Sequence, residues 1–368
     1  MSSRKVLIVT IQDNTSFGNR LQNFALQQAL EQLGLEVSTL DVKERKQKNF
    51  VNDLKTSVKI PLARMGHTRF NEYLERHMHE QGGRAFTREY IHNMIRASRS
   101  DLKDMDWSGY SCVFAGSDQV WHNWGLIPDE LEYFYLDFIP SSKRASYAAS
   151  FGFTSFPQED LGLHRKGLTQ MHAISCRESE GCGLVEMITG KNPVKVLDPT
   201  LLLSSATWDG IMKKPLFEVE GKYLLAFFLG DILEGYNEEI TRIANERGLK
   251  VININDINEK EHFVSSPSEF LWLIKNADTV CTDSFHASVF TILYNRCLRV
   301  YPRTDLKYNV EGMFGRLTEV LGSFGLMENA FGYGDRIDTD VAEEDMKLLE
   351  EQKRISIDYL KAQAQSDG

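Results

Sequence analysis

Four short stretches of the chain hold side chains that can transfer protons or bind anions. They are SFGNRLQN at 16–23, AGSDQVWH at 115–122, SCRES at 175–179 and TDSFHASVF at 282–290. Each stretch contains or follows a short apolar run that is typical of a strand. Open α/β sheets bind ligands beyond the carboxyl ends of their strands, so these four stretches are expected to line one cleft.

The first stretch favours an anion or a polar ligand at the start of a helix. Gly18 permits a tight turn, and the amides of Asn19 and Arg20 would open the helix with unpaired N–H groups. Asn19 and Gln22 are candidate hydrogen-bond partners for a sugar or a carboxylate. The alternative is an ordinary helix entry that is capped by Ser16 or Asn19.

The second stretch indicates a site for a sugar. Asp118 and Gln119 supply polar groups, and Trp121 supplies an aromatic platform, with His122 beside it. An aspartate that follows a strand is also a common helix cap, so this stretch alone does not separate the two interpretations.

The third stretch places Arg177 at the end of a predicted strand. Its planar guanidinium matches a carboxylate or a phosphate with two parallel hydrogen bonds, which a lysine cannot do. The alternative is a structural salt bridge with the neighbouring Glu178.

The fourth stretch puts His286 in the first turn of a predicted helix that Asp283 or Ser284 could cap. This turn is the positive end of the helix dipole, and imidazole titrates near neutrality, so His286 is a candidate proton donor or phosphate ligand. The alternative is a packed core histidine, because it shares a stripe with Val289 and Phe290.

Strands and helices alternate along the chain as an open α/β sheet requires. KVLIVTIQ at 5–12 is an apolar run that predicts a strand buried on both faces. Residues 19–33 follow with helical spacing, in which the apolar side chains form one stripe and Gln22 and Gln27 face the other way. Gly34 would end this helix before a second strand begins.

Two such series predict two Rossmann-like, doubly wound domains that face a cleft. The chain of 368 residues is longer than a typical domain with a single hydrophobic core. We place an N-terminal domain on the acceptor side at 1–205, with a basic helical insertion at about 42–105. A C-terminal domain on the donor side spans 206–335, and 336–368 is a helix that could cross back to the first domain.

Charge excludes one class of function and suggests a surface for another. The chain has 42 Lys and Arg against 52 Asp and Glu, a net charge of -10, which argues against a nucleic-acid binder. Residues 42–105 reverse this balance, with 14 Lys and Arg against 8 Asp and Glu. This section is either a solvated insertion or a docking face for an anionic acceptor or a membrane.

The length of the apolar runs and the spacing of the cysteines indicate the compartment of the protein and whether it binds a metal. The longest apolar run is too short to span a bilayer and no signal peptide precedes the first strand, so we expect a cytoplasmic protein, at most at the inner face of the membrane. Five cysteines without a CxxC pair suggest neither a disulfide framework nor a zinc site. No metal is expected.

Taken in order, the motifs resemble the polysaccharide pyruvyl transferase family. The likeness lies in the glycine-asparagine turn with RLQNFALQ, in GSDQVW, in SYAASFG, in RES followed by VLDPTLLL, and in TDSFH, over about residues 5–325. The resemblance implies a GT-B-like fold and transfer of a pyruvyl group from phosphoenolpyruvate to a glycan or lipid-linked saccharide, usually as a ketal. It implies no further cofactor, and it places Arg177 and His286 at the donor site.

The chain departs from the family at one position. Other members carry an arginine two positions before the histidine and often a glycine after it, whereas this chain has Ser284 and Ala287. A second guanidinium for the donor must then come from elsewhere, for which Arg20, Arg144 and Arg316 are candidates. The alternative is a donor other than phosphoenolpyruvate.

Ketal formation suits the residues, because it needs an acid on one side of the donor and an anion clamp on the other. We expect His286 and Asp118 to be catalytic. The expected donor ligands are Arg177, Ser284, His286 and Arg316, and the expected acceptor ligands are Asn19, Arg20, Gln22, Gln119 and Trp121.

Two other functions remain open from the sequence. One is a GT-B glycosyltransferase that uses a nucleotide sugar, and the other is a non-catalytic glycan-binding scaffold protein. Dinucleotide oxidoreduction is the least favoured, because no GxGxxG follows the first strand.

Overall fold

The computed structural model describes residues 3–43, 58–123, 128–255, 257, 262–304 and 313–365. The strands are β1 Lys5–Val9, β2 Glu36–Lys43, β3 Met94–Ser98, β4 Tyr110–Ala115, β5 Arg144–Ser146, β6 Ser175–Cys176, β7 Val194–Lys195, β8 Tyr223–Phe227, β9 Lys250–Asn253, β10 Thr279–Thr282 and β11 Cys297–Val300. The helices are α1 Phe17–Gln32, α2 Asn71–Tyr90, α3 Pro128–Tyr133, α4 Leu161–Thr169, α5 Ser179–Thr189, α6 Ser205–Asp209, α7 Glu234–Arg247, α8 Pro267–Asn276, α9 Phe285–Leu293, α10 Met313–Ser323 and α11 Glu343–Gln365. Residues 58–64 are also helical.

Two parallel sheets form the framework. The first has the order β3-β2-β1-β4-β5, and the short pair β6-β7 extends it through bridges from Ala145 to Ala173 and from Ala149 to Cys176. The second sheet has the order β11-β10-β8-β9. The chain reverses direction across the sheet between β1 and β4, and again between β8 and β10, which are the points where such sheets bind ligands. The predicted α/β class with two Rossmann-like parallel sheets is confirmed.

Apolar side chains cover both faces of each sheet. Leu7 and Val9 of β1 belong to a buried cluster on one face, whereas Val6 and Ile8 belong to a different cluster on the other. The same alternation separates the two faces of β8. Because successive side chains of a strand point in opposite directions, this pattern requires a layer of helices on each side.

The last helix, α11, completes the layer over the first sheet. Tyr359 and Leu360 are buried with Val6 and Ile8 in one cluster. The Tyr359 hydroxyl donates to the carbonyl of Ser146 at 2.9 Å. Among the described residues, no helix combines the length and apolar character that crossing a bilayer requires.

The section at about 42–105, interpreted from the sequence as a basic helical insertion, contains a helix and also a strand. Within it, β3 pairs in parallel with β2 and forms the edge of the first sheet. Its side chains are half-buried or exposed, so the sequence MIRAS lacks the continuous apolar run that marks a central strand. Residues 44–57 of the insertion lie outside the described part.

The structure also corrects the predicted polar face of the first helix. Gln22 and Gln27 are completely buried. The reason is that α1 lies between the two halves: Phe17 and Leu21 pack in the cluster of β8, whereas Leu26 and Leu30 pack under β1. A helix with neighbours on all sides buries its polar face too. Gln27 is bonded through both side-chain atoms, because Nε2 donates to the carbonyl of Tyr90 at 3.1 Å and the oxygen accepts from the His92 amide at 2.7 Å. Gln22 Nε2 donates to Thr10 Oγ1 at 3.0 Å, and its oxygen has no partner among the described residues.

Candidate active site

The starts of two helices, one from each half of the chain, meet at the centre of the site. A β-carbon at Gly18 in α1 would lie 2.2 Å from Nδ1 of His286 in α9, so only glycine allows this approach. Ser16 caps α1 by accepting from the Asn19 amide at 3.3 Å, and Ser284 caps α9 by accepting from the Ala287 amide at 3.4 Å. Two positive helix ends therefore point toward one place.

Asp198 connects the arginine and the histidine that the sequence singled out. Its Oδ2 accepts from Nη1 of Arg177 at 2.9 Å and lies 3.7 Å from Nε2 of His286. Its Oδ1 accepts from the amide of Thr200 at 3.0 Å and from its hydroxyl at 2.6 Å. Burial opposes ionisation, but the neighbouring His286, the charge of Arg177 and the hydrogen bond from Thr200 together lower the pKa of Asp198 below its ordinary value.

Arg177 serves two purposes in this arrangement. Nε donates to Glu178 at 2.7 Å and Nη1 to Asp198, so the structural salt bridge proposed as an alternative is present. Burial lowers the pKa of Arg177, but Glu178 and Asp198 outweigh it and raise that pKa above its ordinary value. Nη2 is buried and has no hydrogen-bond partner among the described residues. One donor of the fork is therefore left for a ligand.

His286 is less buried than its neighbours in the chain. Every other residue from 279 to 292 is buried, whereas the His286 side chain is 12% exposed. Its Nε2 lacks a hydrogen-bond partner within the described part of the chain. Asp283, the other predicted cap, instead accepts from the amides of Leu229 and Gly230 at 2.8 and 2.9 Å. This ties the end of β8 to the start of α9.

Asp118 lies in an irregular segment after β4, with a φ of 83°. Its Oδ2 accepts from Asn19 Nδ2 at 2.9 Å and its Oδ1 from the Gln119 amide at 2.9 Å. Burial raises its pKa, but the charges of Arg177 and His286 and these hydrogen bonds produce a net lowering. Asp118 is therefore an ionised carboxylate that is held by α1 and lies near Arg177 and His286.

Of the three candidates for a second guanidinium, Arg316 in α10 is the one near Arg177. Burial, and then the charge of Arg177, lower the pKa of Arg316 to about 10. With its side-chain oxygen turned toward Arg316, Gln119 accepts from Nη1 at 3.0 Å and from Nη2 at 3.1 Å. Nε of Arg316 has no partner among the residues that the structure describes.

Arg20 and Arg144 are occupied elsewhere. Arg20 is completely buried and donates to Gln12 at 2.8 Å and to the carbonyl of Ile11 at 2.7 Å. Arg144 donates to the carbonyl of Ile139 at 2.6 Å and to Gln170 at 2.8 Å. Both guanidinium groups hold the first half of the chain together.

The expected acceptor ligands are corrected in three places. Trp121 is completely buried against Tyr135 and Phe151, so it forms no sugar platform. Gln22 and Arg20 are also closed off from any ligand. The side chains of Trp121, Gln22 and Arg20 carry polar groups, so the sequence was compatible with a position on the surface. In the fold, neighbouring residues bury all three.

Two further expected acceptor ligands contact other residues of the protein. Asn19 is buried; its amide nitrogen donates to Asp118 and its oxygen accepts from Arg20. The side-chain oxygen of Gln119 accepts from Arg316. The structure thus brings Asn19, Asp118, Gln119, Arg177, Ser284, His286 and Arg316 together.

Asp198 was not identified as a site residue from the sequence. It follows β7 in the stretch VLDPT, where an aspartate before a proline looks like turn chemistry. Ser150 was also missed. It is buried near the same strand ends, and its hydroxyl has no partner among the described residues.

Comparison with known proteins gives one family. A family model described as polysaccharide pyruvyl transferase matches residues 17–302. No curated protein sequence matches the chain.

Comparison with solved structures gives three examples of proteins that are similar to this chain. UDP-GlcNAc 2-epimerase from Neisseria meningitidis bound to UDP-GlcNAc has 10% identity and a TM-score of 0.48, with 97% of this chain and 100% of that chain covered. S. aureus MnaA in a co-structure with UDP has 11% identity and a TM-score of 0.47, with 90% and 93% covered. The E. coli ADP-heptose heptosyltransferase II has 11% identity and a TM-score of 0.36, with 96% and 99% covered.

Proposed function

The chain belongs to the polysaccharide pyruvyl transferase family, and on this premise we propose that it moves a pyruvyl group from phosphoenolpyruvate to a glycan as a ketal. The observation that carries the proposal is the buried Nη2 of Arg177, which lacks a partner among the described residues and lies in the same carboxylate-linked group as His286. A buried unpaired guanidinium donor is costly unless a ligand satisfies it.

The charges around this donor nitrogen suit phosphoenolpyruvate, which carries a carboxylate and a phosphate. Arg177 and Arg316 supply two guanidinium groups, each with one nitrogen that has no partner in the described part of the chain. The starts of α1 and α9 add the positive ends of two helix dipoles. An anionic donor would replace repulsion among these groups with charge-assisted hydrogen bonds.

We assign the role of general acid to His286. In the proposed reaction its imidazolium gives a proton to the methylene carbon of phosphoenolpyruvate, which leaves an oxocarbenium-like centre at the adjacent carbon. One acceptor hydroxyl adds to this centre, phosphate leaves with the electrons of its C–O bond, and a second hydroxyl adds. Asp198, whose Oδ2 lies 3.7 Å from Nε2 of His286, would keep the imidazole in position.

Asp118 is placed to receive a proton from the acceptor. Its carboxylate is ionised, and Asn19 fixes its orientation from α1. Ketal formation releases two hydroxyl protons. One replaces the proton that His286 gives to the methylene carbon. The other leaves with phosphate or exchanges with water. The acceptor would therefore approach from the side of β4.

A direct test is incubation of the protein with phosphoenolpyruvate and a panel of lipid-linked and synthetic saccharides. We expect phosphate release and a product heavier than the acceptor by one pyruvate less one water. Calorimetric titration with phosphoenolpyruvate and with nucleotide sugars forms the second arm. Binding of a nucleotide sugar without binding of phosphoenolpyruvate would contradict the proposal, and glycan binding without phosphate release would favour a scaffold.

Arg316→Ala tests whether this residue supplies the second guanidinium. Loss of a charge-assisted hydrogen bond to the donor is expected to raise KM for phosphoenolpyruvate by roughly 10- to 100-fold. Steady-state phosphate release at varied donor concentration measures this effect.

The matched control is Arg242→Ala, which removes an exposed arginine from α7, where it pairs with Glu246. This control should keep the wild-type KM. An unchanged KM in Arg316→Ala would show that the donor is held without this residue.

A further inference from the structure

The helical stretch and turn at 58–70, here called the tip, differ in charge from the rest of the chain. The tip contains Lys59, Arg64 and Arg69 and no aspartate or glutamate, whereas the whole chain carries a net charge of -10. Arg64 and Arg69 are exposed, and so is His67 between them. The tip is therefore a local cationic surface on an acidic protein.

Apolar side chains project from the same surface. Met65 is 77% exposed and Val58 is 54% exposed. Gly66, with a φ of 99°, forms the turn that follows Met65. Large apolar side chains that stand exposed beside cations are typical of a surface that enters a lipid headgroup region.

The tip is also anchored on its inner side. Ala63 is buried with Leu74 and Ile257, and Ile60 and Phe70 pack against them. The exposed and buried apolar residues therefore occupy opposite sides of the tip. Met65 and Val58 stay outside while the turn is held in place.

Helix α2 connects the tip to the candidate active site. It begins directly after the tip at Asn71, and near its other end Thr87 Oγ1 donates to Asn14 at 3.1 Å and accepts from Arg20 at 3.4 Å. Arg20 in turn holds Asn19, the partner of Asp118. Thr87 lies sixteen positions after Asn71 in the helix, which corresponds to a distance of roughly 24 Å along the helix axis.

We propose that the tip docks the protein on an anionic membrane surface. The cations of the tip contact the lipid phosphates, and Met65 and Val58 enter the interface between headgroups and acyl chains. A nucleic acid fits less well, because contact with its phosphates would leave Met65 and Val58 in water. The length of α2 then sets the height of the site above the membrane, within reach of a saccharide on a lipid carrier.

Sedimentation of the full chain with lipid vesicles tests this docking. We expect binding to vesicles of equimolar phosphatidylglycerol and phosphatidylcholine, and little binding to pure phosphatidylcholine. Each cation near an anionic surface contributes about fivefold, so Arg64→Ala combined with Arg69→Ala should lower the partition coefficient by roughly 30-fold. Met65→Ser should lower it by roughly five- to tenfold.

The matched control is Arg84→Ala combined with Arg88→Ala, which removes the same charge from exposed positions nearer the other end of α2. Its partition coefficient should stay close to that of the wild type. A circular dichroism melt of each variant separates loss of docking from loss of folding.

Three outcomes would overturn the docking proposal. They are wild-type sedimentation of the tip variants, equal binding to neutral and anionic vesicles, and tight binding of a single-stranded oligonucleotide that Met65→Ser leaves unchanged. The assay contains neither phosphoenolpyruvate nor an acceptor. Failure here therefore does not bear on the proposed transfer reaction, and failure of the transfer reaction does not bear on docking.

Discussion

Replacing His286 with glutamine should lower turnover by roughly 10² to 10⁴-fold, the usual contribution of a positioned general acid. Glutamine keeps a hydrogen-bonding group of similar size but cannot deliver a proton. Because the His286 side chain is partly exposed and packs against Gly18, we expect the free energy of unfolding to change little. Phosphate release per folded molecule and a thermal melt, measured on one preparation, check both parts.

His172→Gln is the matched control, since this histidine is exposed and its contact to Arg144 uses only its backbone amide. It should leave turnover unchanged. If His286→Gln instead kept its turnover and lost about 0.5 to 3 kcal/mol of stability, the histidine would be a packing residue. That result would falsify its role as the acid.

Asp198→Asn should cost both stability and activity. The change leaves the buried Arg177 with Glu178 as its one direct ion-pair partner among the described residues, and removal of one partner of a buried ion pair typically costs about 3–5 kcal/mol. Activity should fall as well, because the same carboxylate lies beside His286. Chemical denaturation gives the free energy of unfolding, and phosphate release gives the activity.

The pH dependence of Asp198→Asn distinguishes loss of charge from loss of shape. The pKa of Asp198 is lowered in the folded protein, so its stabilising contribution is present above its ordinary pKa of 3.8 and is lost as the pH falls through the lowered value. The difference between wild type and variant should therefore narrow in acid. Asp209→Asn, which affects an exposed pair with Lys275, should change stability by less than about 1 kcal/mol at any pH.

Central strands were predictable because their sequences carry a direct physical signature. β1 and β8 are buried on both faces, and both read as continuous apolar runs. The edge strand β3 was missed because half of its environment is solvent. The polar face of α1 was misread because helical periodicity shows which residues are alike, but not whether a second layer covers the other side.

Some residues of the candidate site could likewise be predicted from the sequence, and others could not. Arg177 and His286 were selected as candidates because they follow predicted strands, at the edge of the sheet where ligands bind. Asp198 was missed because its importance comes from two partners distant in sequence, Arg177 and His286, which only the folded chain brings together. The choice of Arg316 over Arg20 likewise depends on which guanidinium is already occupied, and no local pattern records that.

The packing of α11 has a consequence for how the protein is made. Val6 and Ile8 are synthesised long before Tyr359 and Leu360, which share their cluster. The first sheet of a nascent chain therefore carries an uncovered apolar surface until α11 has been made. Such exposure favours aggregation or chaperone capture, so the first sheet reaches its final packing only after α11 has been synthesised.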